Sequence, residues 1–144
     1  MSETNRNLKA FTVMFRAYQA VQDATKRGMQ TCGINQTEFA VLELLYHKGE
    51  QPIQVIGNKI LIASSSITYV VDKLVEKSYV SRRSCEKDRR VTYTVLTAEG
   101  EQLMARLFPK HEQKINKIFE DLQEHEVEQM IELLKRVGYN AEKQ

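Results

Sequence analysis

The sequence predicts a mainly α-helical chain with one small β-hairpin, and three observations support this class. Apolar residues recur at helical spacing through most of the 144 residues. Residues 91–95 instead alternate Val-Thr-Tyr-Thr-Val, which is the period of a half-buried strand. Residues 80–84 are suited to pair with them, so we expect an antiparallel hairpin whose exposed tip spans residues 85–90.

The helices before the hairpin are predicted from apolar stripes and end signals. One face of a long first helix, running to about residue 28, carries Leu8, Phe11, Phe15, Tyr18 and Val21. The second helix begins after Asn35, which can form a capping box with Glu38, and it ends at Gly49. Pro52 suits the first turn of the third helix.

A helix-turn-helix is predicted over residues 53–75. The first of its helices covers residues 53–60, a small polar junction follows at residues 63–66, and the second helix carries Ile67, Val70, Val71, Leu74 and Val75 on its core face. Ser64, Ser65 and Ser66 can cap its amides. Thr68, Tyr69 and Lys73 are left for its outer face, where short polar side chains permit close approach to base edges.

The hairpin concentrates positive charge directly after this second helix. Residues 82–90 contain five basic residues (Arg82, Arg83, Lys87, Arg89 and Arg90) and two acidic ones (Glu86 and Asp88). Taken alone, such a tip is more often a solvated surface loop than a binding element. Together with the preceding helices it predicts a winged helix-turn-helix, with one element for the major groove and the other for the DNA backbone or minor groove.

The residues of the hairpin also resemble a known family. Asp88-Arg89-Arg90, followed after five residues by Leu96-Thr97 and then Glu99-Gly100, is similar to the Asp-x-Arg-x5-Leu-Thr motif of the MarR family of bacterial regulators. Residues 38–42 and 67–74 resemble that family's second and recognition helices, so the likeness covers essentially the whole chain. Ser78 departs from the family pattern, which usually has Gly there, and we expect a differently shaped joint.

The C-terminal third returns to helical spacing. A long amphipathic segment, bent at Pro109, carries Leu103, Leu107, Ile115, Ile118 and Leu122, and a last helix over about residues 124–137 carries Val127, Met130, Ile131 and Leu134. A lone winged helix needs neither these helices nor the first one to bind DNA, so we expect them to pair with a second copy, as the family resemblance also implies. The prediction is one domain, 1–144, with dimerisation helices at 1–30 and 98–144 and a winged DNA-binding region at 31–97.

Charge and composition fit this division. The net charge of +2 hides an asymmetry, because residues 1–98 carry +5 and residues 99–144 carry −3. No apolar run approaches the roughly 20 residues of a membrane span, and the N-terminus has no apolar signal core, so a cytoplasmic protein without a membrane partner is expected. Two cysteines in a reducing compartment are expected to be free thiols.

Catalysis, cofactors and metals are not expected. His47, His111 and His125 are scattered, and the sequence has no nucleophile elbow, phosphate loop or zinc-protease motif, so we predict that the chain is not an enzyme. Cys32, Glu38, His111 and Glu112 are the nearest approach to a zinc ligand set, but they provide too few clustered strong ligands. The competing binding hypothesis is protein association, in which the basic wing contacts an acidic protein.

The predicted function is a homodimeric repressor released from a pseudo-palindromic, double-stranded operator by an effector. The aromatic residues Phe11, Phe15, Tyr18, Phe39 and Tyr46 are either core or the lining of a crevice, where the resemblance places effectors and where a flat ligand such as a quinone would stack. The alternative is a thiol switch. Cys85 lies among basic residues on the predicted tip, and Cys32 lies in the turn between the first two helices.

Overall fold

The computed structural model of the chain describes residues 5–60 and 64–144, except for the side chains of Ser64 and Ser65. It divides into two compact units, Met1–His111 and Glu112–Gln144, which we describe separately. The elements are α1 (Arg6–Gln30), α2 (Gln36–Lys48), β1 (Gln51–Pro52), α3 (Ile53–Lys59), α4 (Ser64–Glu76), β2 (Val80–Ser84), β3 (Thr92–Leu96), α5 (Ala98–Ile118) and α6 (Glu124–Glu142). The expected fold class, mainly helical with a small β wing, is confirmed.

Helix α2 begins and ends as the sequence predicts. The Glu38 backbone N–H donates to Asn35 Oδ1 at 2.8 Å, and the Asn35 N–H donates back to Glu38 Oε1 at 3.0 Å, which completes the capping box. Gly49 ends the helix with a φ of 77°, a left-handed conformation that side chains disfavour. Both end signals are therefore confirmed.

The sheet has three strands in the order β1-β3-β2, all antiparallel. The predicted hairpin is β2 paired with β3, although β3 starts at Thr92 and not at Val91. Strand β1 was not predicted, and the placement of Pro52 in the first turn of α3 is wrong. Pro52 belongs to β1, where it lies opposite Tyr93, and it precedes α3 as its N-cap residue.

The core of the first unit is built from one face of each helix around the hairpin. Its most enclosed side chains are Val41 and Leu42 of α2, Ile56 of α3, Val71 and Leu74 of α4, and Met104 of α5. Val80 of β2 adds the hairpin to the same core. The recognition helix α4 is thus fixed by its apolar face, and its opposite face is left to solvent.

The joint between α4 and β2 adopts a left-handed conformation at a non-glycine residue. Ser78 has a φ of 69°, the only positive φ outside glycine in residues 5–60 and 64–144. Its N–H donates to the Val75 carbonyl at 2.9 Å and the Tyr79 N–H donates to the Leu74 carbonyl at 3.0 Å, which is the Schellman pattern of a helix end. Ser78 therefore gives the joint the shape that a glycine would give it, and the expectation of a differently shaped joint is wrong.

Helix α5 starts close against this joint. The Thr97 hydroxyl donates to the Ser78 carbonyl at 2.7 Å and accepts the Gly100 N–H at 3.0 Å. A Cβ at Gly100 would collide with the Tyr79 carbonyl oxygen and approach Leu96 Cδ1 to 2.8 Å. Only glycine therefore allows α5 to begin here. As predicted, the helix continues through Pro109.

In the second unit, α6 runs to Glu142, five residues beyond the predicted end, and it has no buried residue within that unit's own described chain. Leu122 lies outside the helices, because α5 ends at Ile118 and α6 begins at Glu124. Ile131, Leu134 and Val137 of α6 are exposed. The unit therefore presents an apolar helical face that nothing within it covers.

Candidate DNA-binding surface

The outer face of α4 carries the polar side chains that the sequence predicts for it. Ser66, Thr68 and Tyr69 are exposed, whereas Ile67 between them is buried in the core. Lys73 is partly exposed, and its Nζ lies 5.4 Å from the centre of the Tyr69 ring, within cation–π range. The predicted contributions of the Ser64 and Ser65 side chains fall outside the described residues.

The wing tip is ordered around one carboxylate. Asp88 Oδ1 accepts the Arg90 backbone N–H at 3.0 Å and the Arg90 Nε–H at 3.1 Å, while Asp88 Oδ2 accepts from Nη2 at 3.3 Å. These hydrogen bonds, the side-chain ones first, hold the pKa of Asp88 below its usual value. The Arg90 side chain is nevertheless 90% exposed, so the carboxylate orients a guanidinium that still faces solvent.

The other basic residues of the wing differ in their environment. Arg82 pairs with Asp72 of α4, and Arg83 pairs with Glu50 in front of β1. Lys87 and Arg89 are exposed at the tip, and neither has an ion pair within the described chain. The five basic residues therefore divide into two whose carboxylate partners lie outside the hairpin and three at the tip, of which Arg90 pairs with Asp88 of the tip itself.

A buried carboxylate fixes the C-terminal end of α4. Glu38 of α2 is almost fully enclosed, and its Oε2 accepts from Lys77 Nζ at 2.7 Å. The same ammonium group donates to the Gly33 carbonyl at 2.9 Å. Since one Glu38 oxygen also caps α2, this residue joins the α1–α2 turn, α2 and the end of the recognition helix. The sequence predicted its role as a capping residue but not its pairing with Lys77, which is 39 positions away.

An open groove of about 390 Å³ lies beside α2 and is lined by Phe39, Ala40, Glu43, Leu44, His47, Lys48, Lys59, Ile60 and His111. The His111 ring packs on Phe39 with the centroids 4.6 Å apart, and its Nε2 lies 3.9 Å from Glu43 Oε2. Partial burial lowers the pKa of His111, an effect that the Glu43 charge partly opposes. The groove combines an apolar floor with basic side chains at its edge.

The five predicted effector residues are not brought together. Phe39 is a core residue at 3% exposure that also lines the groove, and Tyr46 packs against the core with its ring 6.1 Å from that of Phe108. Phe11, Phe15 and Tyr18 are 63%, 55% and 60% exposed on α1, so they are not core residues within the described chain, and they do not line the groove beside α2. Helical spacing identified their common face but not what covers it.

Neither cysteine forms a disulfide, and neither thiol is fully exposed. Cys85 is half-buried beside the tip, with its backbone N–H donating to the Val91 carbonyl at 3.0 Å, so the expectation of an exposed tip thiol is wrong. Cys32 is partly buried against the core in the α1–α2 turn. Burial reduces the access of an electrophile to both sulfur atoms.

Within residues 5–60 and 64–144, no three His, Cys, Asp or Glu side chains are grouped so that they could hold a metal ion. In the same residues, no helix combines the length and apolar character needed to cross a bilayer.

Known proteins match this chain along nearly its full length. The family model described as MarR family matches residues 34–92, which include α2 to β2 and the wing tip. The HTH-type transcriptional regulator MhqR of Bacillus subtilis (strain 168) is 51% identical over 138 residues, covering 96% of this chain and 95% of that protein. The chain belongs to the MarR family. As a member of this family of regulators, it binds DNA and regulates transcription.

Solved MarR-type structures share the fold. AbsC, a MarR family transcriptional regulator from Streptomyces coelicolor, superposes with a TM-score of 0.90 at 18% identity and covers 100% of this chain and 99% of its own. Sco3205 from the same organism, solved in complex with DNA, gives a TM-score of 0.89 at 20% identity, with 96% and 93% covered. At these identities the likeness concerns the fold alone.

The MarR motif has a physical reason at each position. Asp88 orients Arg90 at the wing tip, Leu96 packs against the core, and Thr97 caps α5 while holding the Ser78 carbonyl. Gly100 gives α5 the room to start beside Tyr79. The motif therefore describes how the wing returns to the helical body as well as which guanidinium it leaves exposed at the tip.

Proposed function

We propose that the chain is a homodimeric transcriptional repressor that binds a pseudo-palindromic operator and is released by a small aromatic or electrophilic effector such as a quinone. The observation that carries the proposal is the pairing of two DNA-suited elements on one framework. The exposed polar face of α4 suits the major groove, and the ordered, solvent-facing Arg90 suits the minor groove. The DNA-bound state of Sco3205 supports extending this use of the fold to the present chain.

Within this proposal the DNA contacts fall into two classes. Ser64, Ser65, Ser66, Thr68 and Tyr69 of α4 approach base edges or phosphates, with Lys73 beside them. Lys87, Arg89 and Arg90 at the wing tip contribute charge to the backbone and minor groove. Asp88 acts through Arg90 and does not itself contact DNA, since a carboxylate is repelled by phosphate.

Dimerisation is proposed from two uncovered apolar faces. Helix α1 exposes Leu8, Phe11, Phe15 and Tyr18, and α6 exposes Ile131, Leu134 and Val137. Monomeric proteins rarely leave contiguous faces of this kind in water. A second copy would cover them by two-fold symmetry and place two α4 helices about one DNA turn, ~10 bp, or a multiple apart.

The effector is proposed to bind in the groove beside α2. A flat ring can lie against Phe39, Leu44 and Ile60, and a phenolic or acidic group can reach Lys48 or Lys59. Lys59 and Ile60 are the last residues before the helix-turn-helix junction. A ligand in the groove therefore changes the position of α4 through the end of α3. The effector releases DNA only if it binds better to a form whose two α4 helices no longer match the half-sites.

A thiol switch is the alternative within the same fold, in which an electrophile modifies Cys32 or Cys85. The two mechanisms are separated by the variant Cys32→Ser/Cys85→Ser, tested with a quinone and with a hydroquinone that cannot alkylate. We expect both compounds to release this variant from DNA. If it binds DNA but responds to neither compound, thiol chemistry is the switch and the groove is not.

The decisive test of the function is fluorescence anisotropy with duplex DNA from upstream of the protein's own gene, with and without a quinone. Specific binding should weaken steeply between low and physiological salt, because phosphate contacts release counterions. Binding that is weak, indifferent to sequence and insensitive to quinone would instead support a protein-association module. Ala40→Trp, which fills the groove, should keep DNA binding and lose release.

A further inference from the structure

Strand β2 is held on both of its faces by consecutive arginines. Because successive side chains of a strand point to opposite faces, Arg82 and Arg83 reach different parts of the protein. The Arg82 guanidinium donates from Nη2 to Asp72 Oδ1, and Asp72 lies on the recognition helix between Val71 and Lys73. This ion pair is a direct side-chain link between the wing and α4.

Arg83 forms the second link, to the front of β1. Its Nη2 donates to Glu50 Oε1 at 2.6 Å and its Nε donates to Glu50 Oε2 at 3.2 Å, so the carboxylate is held by two parallel hydrogen bonds. The guanidinium carbon also lies 4.7 Å from the ring centre of Tyr93, its cross-strand partner in β3. A guanidinium in this arrangement is satisfied on its edge and covered on its face.

We infer that Arg82 and Arg83 are positioning residues, which fix the angle of the wing against α4 and β1 and do not neutralise DNA phosphates. To contact a phosphate, each would have to leave a carboxylate that is already paired with it. Each pair is also electrically neutral as a unit, so it adds little to the attraction for DNA. The charge that remains for DNA in one wing is that of Lys87 and Arg89, together with Arg90, whose pair with Asp88 leaves its side chain 90% exposed, against 35% for Arg82 and 47% for Arg83.

This inference rests on the proposed binding of DNA by the wing, and removal of Asp72 tests it through the sign of the effect. If Arg82 contacts DNA, Asp72→Asn frees its guanidinium, removes a negative charge near phosphate and tightens operator binding. If Arg82 positions the wing, the same change weakens binding by about two- to fivefold, the range that a half-exposed ion pair supports. The two hypotheses thus predict opposite directions for one isosteric substitution.

Three further variants complete the experiment. Arg82→Gln should weaken binding as much as Asp72→Asn, and the double variant should be no weaker than either alone, because both changes break the same link. The slope of log K against log salt should be unchanged in Asp72→Asn, in Arg82→Gln and in the double variant. Lys87→Gln is the matched control, which removes one exposed wing charge and should reduce the slope by about one unit.

Hydrogen exchange of the β2 and β3 amides supplies a readout that does not depend on DNA. Faster exchange in Asp72→Asn and Arg82→Gln, with unchanged thermal unfolding midpoints, is expected of a loosened wing on an intact fold. Tighter operator binding by Asp72→Asn, or unaltered exchange in both variants, overturns the inference. A third outcome separates this inference from the proposed function. If Lys87→Gln and Arg90→Gln leave operator binding unchanged, the proposed role of the wing in DNA binding fails. If amide exchange is nevertheless faster in Asp72→Asn and Arg82→Gln, the positioning of the wing by Arg82 stands.

Discussion

Ser78 holds a conformation that its side chain disfavours. At a φ of 69° it serves as the left-handed residue of the Schellman motif that turns α4 into β2. A non-glycine residue in this region costs on the order of 1 kcal/mol. The hydrogen bond from the Thr97 hydroxyl to the Ser78 carbonyl offsets this cost and holds the joint beside the start of α5.

We therefore expect Ser78→Gly to raise the free energy of unfolding by about 0.5–1 kcal/mol, since the strain is removed and only part of the gain is lost to the more flexible unfolded chain. Urea denaturation of the two proteins measures this difference. Ser81→Gly is the matched control, because Ser81 lies in the extended strand β2, where glycine should destabilise. An equal effect at both positions would contradict the strain argument.

Arg90 is the residue on which the proposed contact between the wing and DNA depends. Its guanidinium is held by both oxygens of Asp88 while remaining exposed, so it is oriented before DNA arrives. Arg90→Ala should weaken operator binding by roughly 1–3 kcal/mol if it reads a base edge, with the dimer intact. Anisotropy titration and sedimentation together check this, and an unchanged titration would remove the wing tip from the mechanism.

At the scale of the helices, the partial burial of His111 in the groove beside α2 makes the stability of the fold depend on pH. His111 has a lowered pKa because the packing of Phe39 and Phe108 around it desolvates the charged form, while Glu43 opposes this only in part. The folded state therefore favours neutral His111. Its contribution to stability is complete above the ordinary pKa of about 6.5 and is lost as pH falls from there through the lowered pKa.

Wild-type protein should accordingly unfold at a lower urea concentration near pH 5.5 than near pH 7.5. His111→Leu keeps an apolar side chain in the groove but cannot titrate, so this difference should shrink. His125→Gln removes a histidine from the exposed start of α6 and should leave the difference unchanged. If the difference shrinks in His125→Gln and persists in His111→Leu, His111 is not the group that couples stability to pH.

Local chemistry explains which elements sequence reasoning could predict. Asn35 and Glu38 are three residues apart and Asp88 and Arg90 two, so their contacts are consequences of short-range geometry. Strand β1 has only two residues and exists because β3 offers it an edge, which no period within residues 51–52 encodes. The fold class and the recognition helix were therefore accessible, and the third strand was not.

Long-range partners explain what sequence reasoning missed at the site. Arg83 and Glu50 are 33 residues apart, so a count of charges within the hairpin did not reveal that Arg83 is already paired. Lys77 and Glu38 are 39 residues apart, and their ion pair was missed for the same reason. The α1 stripe shows the same limit. Phe11, Phe15 and Tyr18 were correctly placed on one face, but helical spacing does not reveal what covers that face, which is exposed within the described chain.

For the whole molecule, the exposed apolar faces of α1 and α6 must be explained. Leu134 lies within the exposed stripe of α6, whereas Glu132 lies on the opposite side of the helix. In a two-fold dimer each substitution occurs twice at one interface, so its cost is doubled. A symmetric interface therefore gives a large signal from a single residue.

Leu134→Lys should lose about 2 kcal/mol of apolar burial in each copy, which weakens the dimer roughly 1,000-fold before the cost of the buried ammonium is added. Operator affinity should fall with it, because one α4 helix cannot span two half-sites. Glu132→Lys makes the same cation on the far side and should leave both the sedimentation coefficient and the titration unchanged. A Leu134→Lys protein that remains dimeric at micromolar concentration would place the interface elsewhere and leave the exposed face of α6 without a function.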